Sequence, residues 1–237
     1  FFLLTLLLVN SPVFSEGSVS ENKFQSEIQQ VINVFQSYDK DSIANLIYYP
    51  LEMRHPVSDI SNKSEMIKRF NEVFDEALLE RLSTSKVSDW EYMGWRGIMF
   101  DNGTAWIDED GRILSINHQT KKQKILRKAI VEADKKSLHS SVKDYKRAIH
   151  KINIKQGVVR VDEISDANYR LSIWFNGRPI IDEPNVRIEN GKVRREGSAG
   201  STHYTFNKDH YKYEFGNPMI GSEANPAIPY LEIHAGD

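Results

Sequence analysis

Residues 95–117 read WRGIMFDNGTAWIDEDGRILSIN, and this stretch decides the fold class. Three short apolar runs, 95–100, 105–107 and 113–116, are cut apart by Asn102-Gly103 and Asp110-Gly111. Both pairs accept positive φ at little steric cost, so the stretch predicts three strands of an antiparallel meander. Upstream the period changes. Phe24, Ile28, Val31, Ile32 and Phe35 recur at spacings of four and three, which predicts an amphipathic helix, and a short helix through Ile43, Leu46 and Ile47 follows it. The segment 48–54 reads as extended, because Pro50 offers no N–H to a ladder and disfavours helix at Tyr49. A long helix is predicted from Asn62, with Glu65 as capping partner and one apolar stripe through Met66, Ile67, Phe70, Val73, Phe74, Ala77, Leu78 and Leu82.

The order helix, short helix, strand, long helix, meander resembles the nuclear transport factor 2-like superfamily. Residues 95–117 together with Tyr49-Pro50-Leu51 carry the resemblance, which spans residues 24–118. It implies a cone of helices packed into a curved sheet, with a pocket inside. That superfamily includes enzymes and pure binding modules, so the resemblance implies no single activity.

Beyond the meander the composition shifts. Between Thr120 and Lys155 there are twelve Lys and Arg against three acids, Glu132, Asp134 and Asp144. Residues 119–147 are therefore read as a basic connecting segment, partly helical through Ile125, Leu126, Ala129, Ile130 and Ala133. The basic stretch 120–155 is expected to pair with the acidic remainder and dock one domain against the other, the alternative being an acidic partner or anionic lipid. Residues 148–237 are predicted as an antiparallel β domain, a sandwich or small barrel. Tyr169, Leu171, Ile173 and Phe175 alternate with Arg170, Ser172 and Trp174, and Asn176-Gly177 and Asn190-Gly191 supply hairpin turns. This half resembles the β modules of exported bacterial proteins with no assigned activity. The fold class is α+β.

The chain has 237 residues, 40% hydrophobic and 27% charged, a globular composition. Its net charge of −2 gives no global field favouring nucleic acid or an acidic membrane. Residues 1–9 are apolar and too short to span a bilayer; Asn10, Ser11 and Pro12 break the run, and Val13-Phe14-Ser15 suits cleavage after Ser15. We read 1–15 as a signal peptide truncated at its start, which predicts a periplasmic or secreted protein. There is no cysteine, hence no disulfide and no acylated-cysteine lipid anchor, and no later apolar run is long enough to span a membrane.

Motifs for chemistry are sparse. The Gly-rich turn 196–201 lacks the Lys-Ser/Thr ending of a phosphate loop. His203 and His210 share a phase on one hairpin, too few ligands for a structural metal. No cofactor is predicted, and no catalytic residue is assigned. The candidate ligand site is the presumed cone, where Tyr48, Tyr49, Glu52, Arg54, His55, Trp90, Trp95 and Trp106 bring aromatic walls and a few polar groups. The competing reading is that these aromatics fill the space between sheet and helix. His55 with Glu52 or Asp59 has the composition of a general base. The function expected is a non-enzymatic binding or interaction protein, with a cell-envelope protein or a small molecule as partner and no nucleic acid. The alternative is a ligand carrier or enzyme using the cone.

Overall fold

The computed structural model describes residues 24–196, 201–218 and 227–236. The signal-peptide reading of 1–15 and the centre of the Gly-rich turn, 197–200, lie outside the described residues. The architecture is α+β, helices with two antiparallel sheets, in two compact units that divide between Lys128 and Ala129. The basic segment 119–147 is thus shared between the units.

In the first unit, α1 (Gln25–Gln36) buries Ile28, Val31, Ile32 and Phe35, as their spacing predicts. Tyr38 follows in the left-handed region (φ 53), and Asp39 opens α2 (Lys40–Asn45) by accepting the Ser42 amide at 2.9 Å. The long helix expected from Asn62 is in fact two, α3 (Lys63–Val73) and α4 (Glu76–Ser83). Phe74 takes extended angles, and Asp75 caps α4 by accepting the Leu78 amide at 3.0 Å. His118 Nε2 meets both Asp75 carboxylate oxygens, at 2.9 and 3.0 Å. Burial pushes the Asp75 carboxyl up, but His118 and the Leu78 amide outweigh it and hold the group below its ordinary value. Phe70, Phe74 and Leu78 stay in the core across the break, so the apolar stripe continues where the helix does not, while Ile67 and Ala77, which the sequence reading counted in it, lie exposed.

The first sheet runs in the order β1 (Trp90–Tyr92), β2 (Ile98–Phe100), β3 (Ala105–Ile107) and β4 (Ile113–Ile116), all antiparallel. Two details differ from the sequence reading. β1 was not foreseen, and residues 94–96 form a tight 3₁₀ turn where a strand was expected. Ile47 adds a parallel bridge to Ile113, which ties the segment after α2 to the sheet. One sheet face carries Trp90, Ile98, Phe100, Ala105, Ile107 and Ile113 into a core shared with the helices. There the Phe74 ring lies 5.8 Å from Phe35 and 4.9 Å from Phe70. Side chains fill the space beneath the sheet, each full burial stabilising by roughly 1.5–3 kcal/mol.

Helix α5 (Lys121–Ser137) crosses the division between the units. Its start is held within the first: the Thr120 hydroxyl accepts the Gln123 amide at 3.0 Å and donates to the Glu72 carbonyl at 2.9 Å. Seven strands then run up and down in sequence order: β5 (Arg147–Ile154), β6 (Gly157–Ser165), β7 (Asn168–Phe175), β8 (Val186–Glu196), β9 (Ser201–Lys208), β10 (Tyr211–Asn217) and β11 (Tyr230–Ala235). In a flat sheet β5 and β10 would stand roughly 24 Å apart, five steps of about 4.8 Å. Yet the His150 ring of β5 stacks on Phe215 of β10 with centroids 5.0 Å apart. The sheet is therefore strongly curled, its concave face filled by Val159, Val161, Leu171, Ile173, Phe206 and Phe215.

Asn176-Gly177 makes a tight turn, both residues at positive φ and the Arg178 amide donating to the Phe175 carbonyl at 3.1 Å, but neither Asn-Gly pair of this unit joins two paired strands as a two-residue hairpin. Asn176-Gly177 begins the long connection from β7 to β8, while Asn190 lies inside β8 at φ 62 and shifts its register against β7. β8 pairs with β7 up to Gly191 and with β9 from Lys192 onward. A Cβ on Gly191 would stand 2.1 Å from the Phe206 ring. Positive φ and the missing side chain thus build a bulge, and the bulge bends the strand at the corner where the sheet turns.

Candidate functional site

The eight residues expected to share a pocket are distributed over three places. Trp90 is in the core, its indole N–H donating to Ser85 Oγ at 3.2 Å and its ring 4.9 Å from Phe100. Tyr49 packs on the same core; its hydroxyl donates to the Ala44 carbonyl at 2.8 Å, and burial pushes its pKa up to about 12. For these two, filling the interior is the reading the geometry supports. Tyr48 is exposed, with the Arg112 guanidinium 5.1 Å from its ring centre. Glu52, Arg54 and His55 belong to a surface segment. Within it Glu52, His55 and Asp59 border a hollow of about 430 Å³, and Asp59 accepts the Met53 amide at 2.7 Å.

Trp95 and Trp106 form the third place, on the sheet face turned away from the core. Met99, Trp106 and Ser115 stand opposite one another across β2, β3 and β4, and they alternate with the core residues Ile98, Phe100, Ala105 and Ile107. Trp95 and Arg96 sit at the tip of the β1–β2 connection, which closes on itself through the Met93 amide to the Gly97 carbonyl (2.8 Å) and the Gly97 amide to the Gly94 carbonyl (2.9 Å). Gly97 has φ 96, and a Cβ there would stand 2.4 Å from the Ile107 carbonyl oxygen, so the tip requires glycine. This hydrogen-bonded tip leaves Trp95 95% exposed. The Arg96 guanidinium lies 5.9 Å from the Trp106 ring centre. Trp95, Arg96, Trp106, Leu114 and Ser115 line a shallow depression of about 300 Å³. Two tryptophans flanking an arginine are the side chains that most often dominate protein interfaces. None of the five is a carboxylate, histidine or lysine, so the arrangement can hold a surface but offers no acid–base pair.

A second polar concentration was missed in the sequence. On the convex face of β6 and β7, Arg160, Asp162, Arg170 and Ser172 are all buried. The Arg160 fork binds Asp134 of α5 through both terminal nitrogens, at 3.1 and 2.7 Å, and its Nε donates to Asp162 at 2.8 Å. Arg170 donates to the other Asp162 oxygen at 3.0 Å and to the carbonyls of Asp144 and Val142. The Tyr145 hydroxyl donates to Asp134 at 2.7 Å. Burial pushes Asp134 up, but Arg160 and Tyr145 outweigh it and leave the carboxyl below its ordinary value. Leu138, Val142, Tyr145 and Trp174 pack around this neutral set of two arginines and two aspartates. With so many internal partners and an apolar cover, the cluster fastens 129–146 to the sheet. The signal available in the sequence was Trp174, a large apolar ring in the phase that otherwise reads polar.

Three residues of the basic segment find partners inside their own units: Lys146 with Glu163 at 3.2 Å, Arg147 with Glu163 at 2.8 Å, and Arg127 with the His55 carbonyl at 3.1 Å. His203 meets Glu196 at 3.1 Å and Glu214 at 3.5 Å, whereas His210 lies in the β9–β10 turn, so the two histidines form no common site. Among the described residues no cluster of three or more histidine or acidic side chains is arranged to hold a metal ion, and no helix is long and apolar enough to cross a membrane. Compared with protein-family models, curated proteins and solved structures, the chain matches none.

Proposed function

We propose that this chain is an exported protein, periplasmic or secreted, that binds a protein partner and performs no chemistry of its own. One observation carries the reading: Trp95 stands 95% exposed on a closed, glycine-dependent hairpin tip, beside Arg96 and Trp106. An indole has a large apolar surface, and holding it in water on such a tip is costly unless something covers it. The apolar leader followed by a small-residue cleavage point supports export. Element order supports the nuclear transport factor 2-like cone, with its interior occupied by Phe35, Phe70 and Phe74.

The alternative, a small-molecule carrier or enzyme, is favoured by the hollow that Glu52, His55 and Asp59 border. A thermal-shift screen separates the two, because ligand that prefers the folded state raises the melting temperature. With sugars, amino acids and nucleotides at millimolar concentration, no rise is expected, while a protein that co-purifies stoichiometrically with the wild type should be lost with Trp95→Ala. A rise of several degrees that disappears in the Glu52→Gln, His55→Ala double variant would establish the alternative.

A further inference from the structure

Arg96 lacks the carboxylate partner that half of the six arginines of its unit have; Arg127 instead donates to the His55 carbonyl and the Gln119 side chain, and Arg54 has no carboxylate partner among the described residues. Arg69, Arg81 and Arg112 of the same unit each hold a carboxylate: Glu65 and Glu72 for the first, Asp101 for the second, Asp108 for the third. Among the described residues Arg96 holds none; its guanidinium lies over the Trp106 ring, and the depression it borders contains no acidic side chain. A guanidinium stacked on an indole keeps its hydrogen-bonding edge free, and that edge matches a carboxylate through two parallel N–H···O bonds. Beside it, Trp95 offers an exposed apolar ring. Glu91, opposite Met99 on the same sheet face, lies two strands from Trp106 and outside the depression, so within the depression itself Arg96 alone sets the sign of the charge.

We propose that this face receives an acidic segment of a partner protein, with a carboxylate on the Arg96 fork and a neighbouring apolar or aromatic side chain against Trp95. The proposal rests on the reading of the tryptophan face as a docking surface and adds the partner's chemistry. Covering the pair with a partner removes water from the Arg96–carboxylate contact, which strengthens it. A basic segment would instead bring like charge to Arg96.

The test uses the full chain with its tryptophan indoles labelled for NMR and two capped pentapeptides, Gly-Glu-Phe-Glu-Gly and Gly-Lys-Phe-Lys-Gly. The acidic peptide is expected to shift the Trp95 and Trp106 indole signals and to bind at least about fivefold more tightly than the basic one at low salt. Arg96→Gln should erase that preference, and Trp95→Ala should weaken both titrations. Equal or tighter binding of the lysine peptide, a preference that survives Arg96→Gln, or no movement of either indole at millimolar peptide would overturn the proposal. So would a dimer in sedimentation that Trp95→Ala dissociates, because the occupant would then be a second copy. The docking reading fails separately if a peptide binds and Trp95→Ala changes neither titration.

Discussion

Replacing Arg160 by methionine is expected to destabilise the second unit by on the order of 3–5 kcal/mol, the effect of leaving buried carboxylates without their guanidinium. Arg160 is 1% exposed, and its three nitrogens serve Asp134 and Asp162. Methionine fills most of the volume but answers neither acid. For a domain whose stability is about 5–15 kcal/mol, that loss is a large fraction. The pH dependence identifies the cause. In the wild type the lowered Asp134 pKa contributes stability above the ordinary carboxylate range, lost as pH falls through the lowered value. Asp162 has the opposite sign: burial holds its carboxyl above the ordinary value despite Arg160 and Arg170, so it favours the fold in acid. Without Arg160 both carboxyls rise and take up protons earlier. The deficit of the variant should therefore be largest at neutral pH and shrink as pH falls through the raised carboxyl values. Urea unfolding at several pH values measures it. A deficit constant with pH would mean that packing alone is lost.

Trp174→Ala should cost a similar amount, about 3–5 kcal/mol, for a different reason. The ring is fully buried among Leu138, Val142 and Tyr145, and its indole N–H donates to the Asp182 carbonyl at 2.8 Å. Alanine opens a cavity beneath 129–146 and leaves that carbonyl without its donor. Trp174→Phe keeps most of the apolar volume and should lose only about 1–1.5 kcal/mol, the value of the hydrogen bond. If alanine cost under roughly 0.5 kcal/mol, as at exposed positions, the convex face of β7 would be solvated and the role of 129–146 as its cover would be wrong.

Much of the fold was legible because burial on one face leaves a periodic trace. The 3.6-residue rhythm of Phe24 to Phe35 marked α1, and the alternation from Tyr169 to Phe175 marked β7. The misreadings share a cause: a local signal was compatible with two backbones. The stripe through Phe70, Phe74 and Leu78 is the same whether one helix continues or two meet at Asp75, and His118, which holds the break, is 43 positions away. Asn190-Gly191 permits positive φ in a turn or in a bulge, and only the Phe206 ring over Gly191 decides. Arg170 and Ser172 read as solvent-facing because α5, which supplies Asp134, cannot be placed over them from periodicity. The candidate site was legible in composition but not in grouping. Trp95 and Trp106 were picked out, yet joined to Trp90, which one-residue steps along the strands place on the other sheet face.

The central claim is that the Trp95 face is where this protein meets its partner. Site-specific photocrosslinking in the cells that make it addresses that claim most directly. Benzoylphenylalanine placed at position 95 is compared with the same residue at position 67, where Ile67 is another exposed apolar side chain of the same unit. The expected result is one adduct of discrete mass from position 95, absent from position 67 and lost when Arg96→Glu is added. Equal, diffuse crosslinking from both positions, or a discrete adduct indifferent to Arg96, would contradict it.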